Sequence, residues 1–265
     1  MSLVQQPASS FSPSERGVAA RALSERHPIW YHKIELAPGV ITPGFSDAEK
    51  LARLGLPGRL DGFRCLDVAT FDGYYAFEME RRGAEAVIAI DIDSARNVEH
   101  PPLRRADNLR ELDERPVELG RTWHDCAAWF GSSAVRKVCN VYDLSLETTD
   151  GPVDFVMMGN LLQHLRDPVR ALERVHDVLR PGGRALLVEQ IDVWLSILRP
   201  TRPAANFRCG DPSNRFNWWI PNITALKHFA RAASLVPESR LPKVQHFEGG
   251  SRLFYNAGLL VRRLD

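Results

Sequence analysis

The sequence predicts an α/β fold, a mostly parallel sheet with helices on both faces, and three observations carry that expectation. Residues 63–91, FRCLDVATFDGYYAFEMERRGAEAVIAID, read as a buried strand, a tight turn, an amphipathic helix and a second buried strand that ends on a carboxylate. Residues 153–190, VDFVMMGNLLQHLRDPVRALERVHDVLRPGGRALLVEQ, place an apolar strand, a Leu/Val-periodic helix, a Pro-Gly-Gly turn and another apolar strand in succession. The chain of 265 residues, 44% hydrophobic and 25% charged, has the length and composition to build one large core.

Taken in order, the first twenty or so residues are polar and Ser-rich, and are expected to be weakly ordered or a short helix. They lack a basic region followed by an apolar core, and no apolar run approaches a membrane span, so a cytoplasmic protein is expected. The stretch HPIWYHKIELAPGVITPG, residues 27–44, carries aromatics, two histidines and two Pro-Gly turns ahead of a short helix near Asp47. It reads either as a cap packing its aromatics on the sheet, or as a lid bringing Trp30, Tyr31, His32 and Lys33 to a pocket.

The run 63–68 suits a central parallel strand buried on both faces. Ligands of open α/β sheets bind beyond the carboxyl ends of the strands, which puts Asp67, Ala69 and Gly73 at the site. Tyr75, Ala76, Phe77 and Met79 form the apolar stripe of the next helix, and Gly83 suits its C-cap. Asp91 then ends the second strand twenty-odd residues past the turn, where an acid in dinucleotide-binding units accepts from ribose hydroxyls. Residues 94–135 are a charged insertion with Trp123, His124, Trp129 and Phe130, its charges mostly a solvated face. The third strand, residues 137–141, delivers Tyr142, Asp143 and Leu144, Asp143 being a ligand acceptor or a plain helix N-cap. Residues 191–220 are rich in Arg, Pro and Asn and read as a long loop or lid. A helix over residues 221–234, with Leu226, Phe229 and Ala230 inward, and a hairpin around Gly249-Gly250 close the chain.

These motifs, in this order, resemble the class I S-adenosylmethionine (SAM) dependent methyltransferases. The resemblance implies a Rossmann-like, seven-stranded, mostly parallel sheet with an antiparallel C-terminal strand pair. It implies an N-terminal extension and cap over residues 1–58, and a SAM-binding domain over 59–265 with substrate insertions at about 94–135 and 191–220. The cofactor residues it implies are Asp67, Ala69, Thr70, Phe71 and Gly73 in the first loop, Asp91 and Ile92, then Tyr142, Asp143 and Leu144 around the adenine, and Gly159 with Asn160. The family loop has an acid followed by three glycines, and here Ala69 and Phe71 stand at two of those glycine positions. HPIWYHKIEL, MGNLLQHLRDP and NWWIPNITALKHF also resemble, more distantly, the bacterial tRNA wobble-uridine carboxymethyltransferases, which use carboxy-SAM. Gln163 replaces the tyrosine that reads the extra carboxylate in that branch, so ordinary SAM is the expected cofactor and a tRNA acceptor ranks second.

A methyl sulfonium is already electrophilic, so the protein has mainly to align the reacting atoms and exclude water. For a hydroxyl acceptor a general base adds roughly two to four orders of magnitude, and histidine is the usual choice. His164 is the first candidate, unless it merely caps or packs its helix, and His32 and His124 come after it. Substrate contacts are expected from Tyr31, Gln163, Arg199, Arg215, Trp218 and Trp219. Guanidinium and indole groups suit an anionic or aromatic small molecule or a single-stranded nucleic acid, and equally a loop that plugs the core edge. Three functions follow: a small-molecule methyltransferase acting on oxygen in secondary metabolism, a tRNA-modifying enzyme, and a catalytically silent binding protein. The net charge of +1 argues against a strong global field for nucleic acid. Four cysteines without CxxC spacing make structural zinc and disulfides unexpected, and no metal is expected. A homodimer through the N-terminal cap is compatible with the sequence.

Overall fold

The computed structural model describes residues 6–114, 118–209, 211, 214–239, 243–249 and 252–264. Helix α1 (Pro13–Arg26) opens the described chain. It is a regular helix of 14 residues, more than the weak order or short helix expected of a Ser-rich start. A capping box explains it: Ser12 accepts from the Glu15 amide while Glu15 accepts from the Ser12 amide, with Pro13 at the first helical position. A small antiparallel ribbon, β1 (Glu35–Ala37) and β2 (Val40–Ile41), and α2 (Ala48–Ala52), capped by Asp47, complete the N-terminal cap.

The sheet proper begins with β3 (Arg64–Val68), α3 (Tyr74–Arg81) and β4 (Ala86–Asp91). The insertion contributes α4 (Pro102–Glu114) and α5 (Arg121–Phe130) before β5 (Val135–Val138). Then come β6 (Val153–Gly159), α6 (Pro168–Val178) and β7 (Leu179–Ile191). Asp167 caps α6, and Pro168 sits where its missing N–H costs nothing. The Arg180-Pro181-Gly182-Gly183 turn is an irregularity inside β7, whose pairing with β6 jumps from Val153↔Leu179 to Phe155↔Arg184.

Residues 191–220 are less irregular than their composition suggests. Asp192 caps α7 (Val193–Leu198), and β8 (Ala205–Phe207) pairs antiparallel with β9 (Trp219–Pro221). Asn222 caps α8 (Ile223–Ala232), which has Leu226 and Ala230 buried. The chain ends in β10 (Leu235–Pro237), β11 (Lys243–Gly249) and β12 (Arg252–Arg263). Gly250 of the expected closing turn lies outside the described residues.

The strand order is β10-β12-β7-β6-β3-β4-β5, with β11 also pairing with β12. Strands β5, β4, β3, β6 and β7 run parallel, and β12 is antiparallel to β7. A strand has two edges, so β10 and β11 share the edge of β12 that faces away from β7. The sheet therefore has the seven positions expected, the last filled by two short strands. Alternate residues go to opposite faces, as the two-residue repeat of a strand requires. Cys65, Phe155, Met157 and Leu186 meet the N-terminal cap, α3 and α5, while Leu66, Val156, Met158 and Leu187 meet α6 and α8. The cap's Leu23, Leu36 and Leu51 belong to the first of these clusters, so the cap is packed on the sheet. Among the described residues, no helix is long and apolar enough to cross a membrane.

Candidate functional site

A cavity of about 940 Å³ lies at the carboxyl ends of the parallel strands, where an open α/β sheet forms its crevice. Its floor carries Ala69 and Phe71 after β3, Asp91 and Ile92 after β4, Asn140 and Val141 after β5, and Gly159 and Asn160 after β6. The roof comes from three segments: Ile29, Tyr31 and Phe45 of the cap, Asn108, Glu111 and Leu112 of α4, and Arg215 with Phe216 before β9. Gln163, His164, Gln190 and Asn256 line the side beside β7 and β12.

The β3–α3 loop is built on carboxylates. Asp67, 1% exposed, accepts from the Thr70 hydroxyl at 2.7 Å and the Ala76 amide at 3.1 Å. Burial pushes its carboxyl up to about 7 against the pull of those bonds. Gly73 is left-handed at φ 89°, and a Cβ there would lie 2.5 Å from the Phe77 ring. Asp67, Thr70 and Gly73 therefore shape the loop from behind rather than line the cavity as expected. Asp91 does face it. One oxygen accepts from the Phe71 amide at 2.9 Å and the other from the Ile92 amide at 2.8 Å, which leaves lone pairs for a ligand. Burial raises its carboxyl above the ordinary value, with the Phe71 amide and the Arg136 charge opposing.

The expectation around the third strand is displaced. Strand β5 ends at Val138, earlier than the apolar run suggested, and Cys139, Asn140 and Val141 reach the cavity instead of Tyr142, Asp143 and Leu144. Asn140 accepts from the Tyr142 amide and caps a short 3-10 turn through residue 143. Asp143 closes that turn and is not an N-cap. The Tyr142 hydroxyl donates to Glu99 at 2.9 Å, and Leu144 is core.

Asn160 is left-handed at φ 51°, and its amide donates to the Val188 carbonyl at 2.6 Å. The Tyr31 hydroxyl is hydrogen-bonded to Asn160, and burial, with Glu189 nearby, raises this phenol above its ordinary value. His164 is half-buried in the turn after β6, its Nδ1 3.3 Å from the Phe216 carbonyl and its Nε2 3.3 Å from Gln163 Nε2. A carbonyl can only accept, so these partners assign the proton to Nδ1 and leave Nε2 as the basic nitrogen. Burial lowers the His164 pKa, and the Phe216 carbonyl opposes. Gln163 is 7% exposed, and its Oε1 has no partner among the described residues.

The other two histidines are elsewhere. His32 is 3% exposed and bonded through Nδ1 to Asp72, beneath the loop and off the cavity wall. His124 is on the solvent side of α5 against Trp123. Arg199 is exposed at the end of α7. Trp218 donates to the Glu99 carbonyl at 2.8 Å and Trp219 to the Leu165 carbonyl at 2.8 Å, so both brace the turns rather than line the cavity. Indoles pack where their apolar body and single N–H are both satisfied, and here that is between the insertions. Of the expected substrate residues, Tyr31, Gln163 and Arg215 reach the cavity, and Arg215 pairs with Glu111.

Sequence reasoning missed Asn108, Asn140, Glu189 and Asn256. Glu189, 1% exposed, accepts from the Leu161 and Leu162 amides at 3.1 Å, and burial pushes its carboxyl up to about 8. The signal for Glu189 and Asn256 was available: each is a polar residue inside an apolar strand, ALLVEQ and FYNAGLL. Among the described residues, no group of three or more His, Cys, Asp or Glu side chains could hold a metal.

The profile of a methyltransferase domain family matches residues 45–239. The tRNA U34 carboxymethyltransferase of Azotobacter vinelandii is 31% identical over 180 residues, 67% of this chain and 46% of that protein. The match thus spans less than half the length of that relative. Among solved structures, the 1,6-didemethyltoxoflavin N1-methyltransferase of Burkholderia thailandensis, with its substrate and S-adenosylhomocysteine bound, has a TM-score of 0.53 at 17% identity. It covers 96% of this chain and 92% of its own. A SAM-dependent methyltransferase from Mesorhizobium loti has a TM-score of 0.50 at 15% identity, covering 81% and 96%.

Proposed function

The chain belongs to the family of methyltransferase domains, and from that premise we propose that it transfers a methyl group from SAM to an oxygen of a neutral small molecule. The observation that carries the cofactor half is Asp91. Its carboxylate ends β4 on the cavity floor, held by two amides and open to two ribose hydroxyls. Asn140 and Val141 would flank an adenine, and Gly159 and Asn160 the amino-acid end. These residues fit the group in chemistry as well as place: a carboxylate for a diol, an amide and apolar wall for a base, small backbone turns for the polar tail. When bound, SAM supplies a sulfonium methyl that needs no further activation.

What remains for the protein is to hold and deprotonate the acceptor. His164 lines the cavity with an unprotonated Nε2, whose lone pair takes the Gln163 amide until an acceptor hydroxyl displaces it, and its lowered pKa favours the neutral form. Ile29, Phe45, Leu112 and Phe216 give the roof apolar walls against which an acceptor can pack. Arg215 is the only arginine or lysine lining the cavity among the described residues, and Glu111 already matches its charge. That favours a neutral acceptor over a phosphate-bearing one. The Burkholderia fold relative, which holds a small heterocycle, supports the same class of acceptor. The tRNA-modifying reading has its support in the Azotobacter relative.

Calorimetric titration with SAM, S-adenosylhomocysteine and carboxy-SAM tests the proposal. SAM binding is expected to weaken at least about tenfold in Asp91→Ala, the loss of hydrogen bonds to a charged group. Tighter binding of carboxy-SAM would favour the tRNA-type reading, and wild-type protein that binds none of the three would overturn the proposal.

A further inference from the structure

Two residues of the cofactor loop, Ala69 at φ 60° and Phe71 at φ 48°, hold left-handed backbone without being glycine. A Cβ makes that conformation costly, and it persists only where the surroundings over-determine it. The sheet supplies two restraints, Asp67 on Thr70 and Ala76, and Asp91 on the Phe71 amide. The third comes from outside the sheet. Asp72, 0% exposed, takes the Tyr31 amide at 2.9 Å and the His32 amide at 2.8 Å on one oxygen, and His32 Nδ1 on the other.

His32 is itself gripped. The Thr42 hydroxyl donates to its carbonyl at 2.8 Å, and Gly44 lies so close that a Cβ there would fall 2.1 Å from the same carbonyl. Its ring is walled by those of Tyr31, Tyr74 and Tyr75. Neither His32 nor Asp72 lines the cavity, although Tyr31, whose amide Asp72 holds, does. The pair acts through the loop: with Asp72 free, residues 69–71 can relax toward ordinary backbone and carry the Phe71 amide away from Asp91.

We infer that the N-terminal cap, through His32 and Asp72, holds the glycine-poor loop in its ligand-binding conformation, so that both are positioning residues for the cofactor. This rests on the SAM reading above. The test combines S-adenosylhomocysteine titration with amide hydrogen exchange of residues 69–73 in ligand-free protein. It is run on wild type, His32→Asn and Asp72→Asn, each with and without Ala69→Gly.

The single variants are expected to bind S-adenosylhomocysteine about tenfold more weakly or worse. Exchange over 69–73 should rise, and Ala69→Gly, which removes one left-handed Cβ, should recover much of the affinity. Glycine at a left-handed position also stabilises the fold as a whole, so every titration is run well below the urea transition of each variant, where affinity reports the loop and not the folded fraction. Should neither variant fold, Thr42→Val, which removes the hydroxyl that donates to the His32 carbonyl and accepts from the Ile34 amide, carries the same expectation at smaller amplitude. Undiminished binding, unchanged loop exchange, or a loss that glycine does not recover would each overturn the inference. Wild-type protein that binds no S-adenosylhomocysteine, while loop exchange still rises in the variants, would instead locate the failure in the cofactor reading.

Discussion

Glu189 and Asp67 are carboxyls that the fold keeps from water, and each has a consequence for pH. Burial pushes them up to about 8 and about 7, whereas in the unfolded chain both titrate near 4. The folded state therefore holds these protons more tightly. The stability they contribute is fully present below about pH 4 and is lost as pH rises through 7 to 8. The melting temperature is expected to fall between about pH 5 and pH 8. Glu189→Gln, which keeps an acceptor for the Leu161 and Leu162 amides, should flatten that slope, and a slope identical to wild type would refute the assignment. His164 has the opposite sense. Its pKa lies below the ordinary imidazole value, so turnover limited by the base should persist below pH 6.5 and fail only in more acid solution. His164→Ala is expected to lower kcat by roughly 10²–10⁴ with cofactor affinity kept. An unchanged kcat would remove His164 from the mechanism.

The β3–α3 unit gathers Asp67, Thr70, Asp72 and Gly73 around one short turn, and that turn tolerates little. Gly73→Ala would put a Cβ 2.5 Å from the Phe77 ring and 2.7 Å from Trp123, at a φ of 89°. Overpacking of this kind costs about 1–3 kcal/mol, to which the left-handed backbone adds. Urea denaturation should show a fall of that size at least, and none would mean that the helices shift to absorb it. This unit was legible in the sequence because β3 and β4 are buried on both faces and read as largely apolar runs that stop where the site begins. Helix α6 was legible for its period and its Asp167-Pro168 start. Strand β5 was not, because it is an edge strand with Val135 and Val138 exposed, and no burial pattern marks its end. That is why Asp143 was expected at the cavity, which Asn140 lines instead. Asp72 and His32 were invisible as a pair for a different reason: 40 residues separate them, and nothing local distinguishes a buried His–Asp contact from a surface one.

Across the whole molecule the roof divides in two. The insertions are tied to each other by the Arg215–Glu111 pair, by Asn108 donating to the Arg215 carbonyl at 3.0 Å, and by Trp218 donating to the Glu99 carbonyl at 2.8 Å. Glu99 reaches further, accepting from the Arg166 amide at 2.7 Å and the Tyr142 hydroxyl at 2.9 Å, so the insertion roof is fixed to the turns after β5 and β6. The N-terminal cap is tied to the β3–α3 loop through Asp72 and to α5, where Trp129 donates to the Leu36 carbonyl at 2.9 Å, but among the described residues not to α4, and it shares the core cluster on the other face of the sheet from α6 and α8. Proteins open in cooperative units defined by such packing, so the two halves of the roof should open separately. Trp218→Ala removes a buried indole, its hydrogen bond to Glu99 and its contact with the Arg166 guanidinium, a loss of about 3–5 kcal/mol in a packed core and less at a roof that can settle. Hydrogen exchange should then quicken over residues 99–114 and 214–219 while residues 27–46 keep their protection. Equal quickening in all three would mean that the roof is one body. Acceptor entry would then require release of the clamp on the cofactor loop, which separate opening spares.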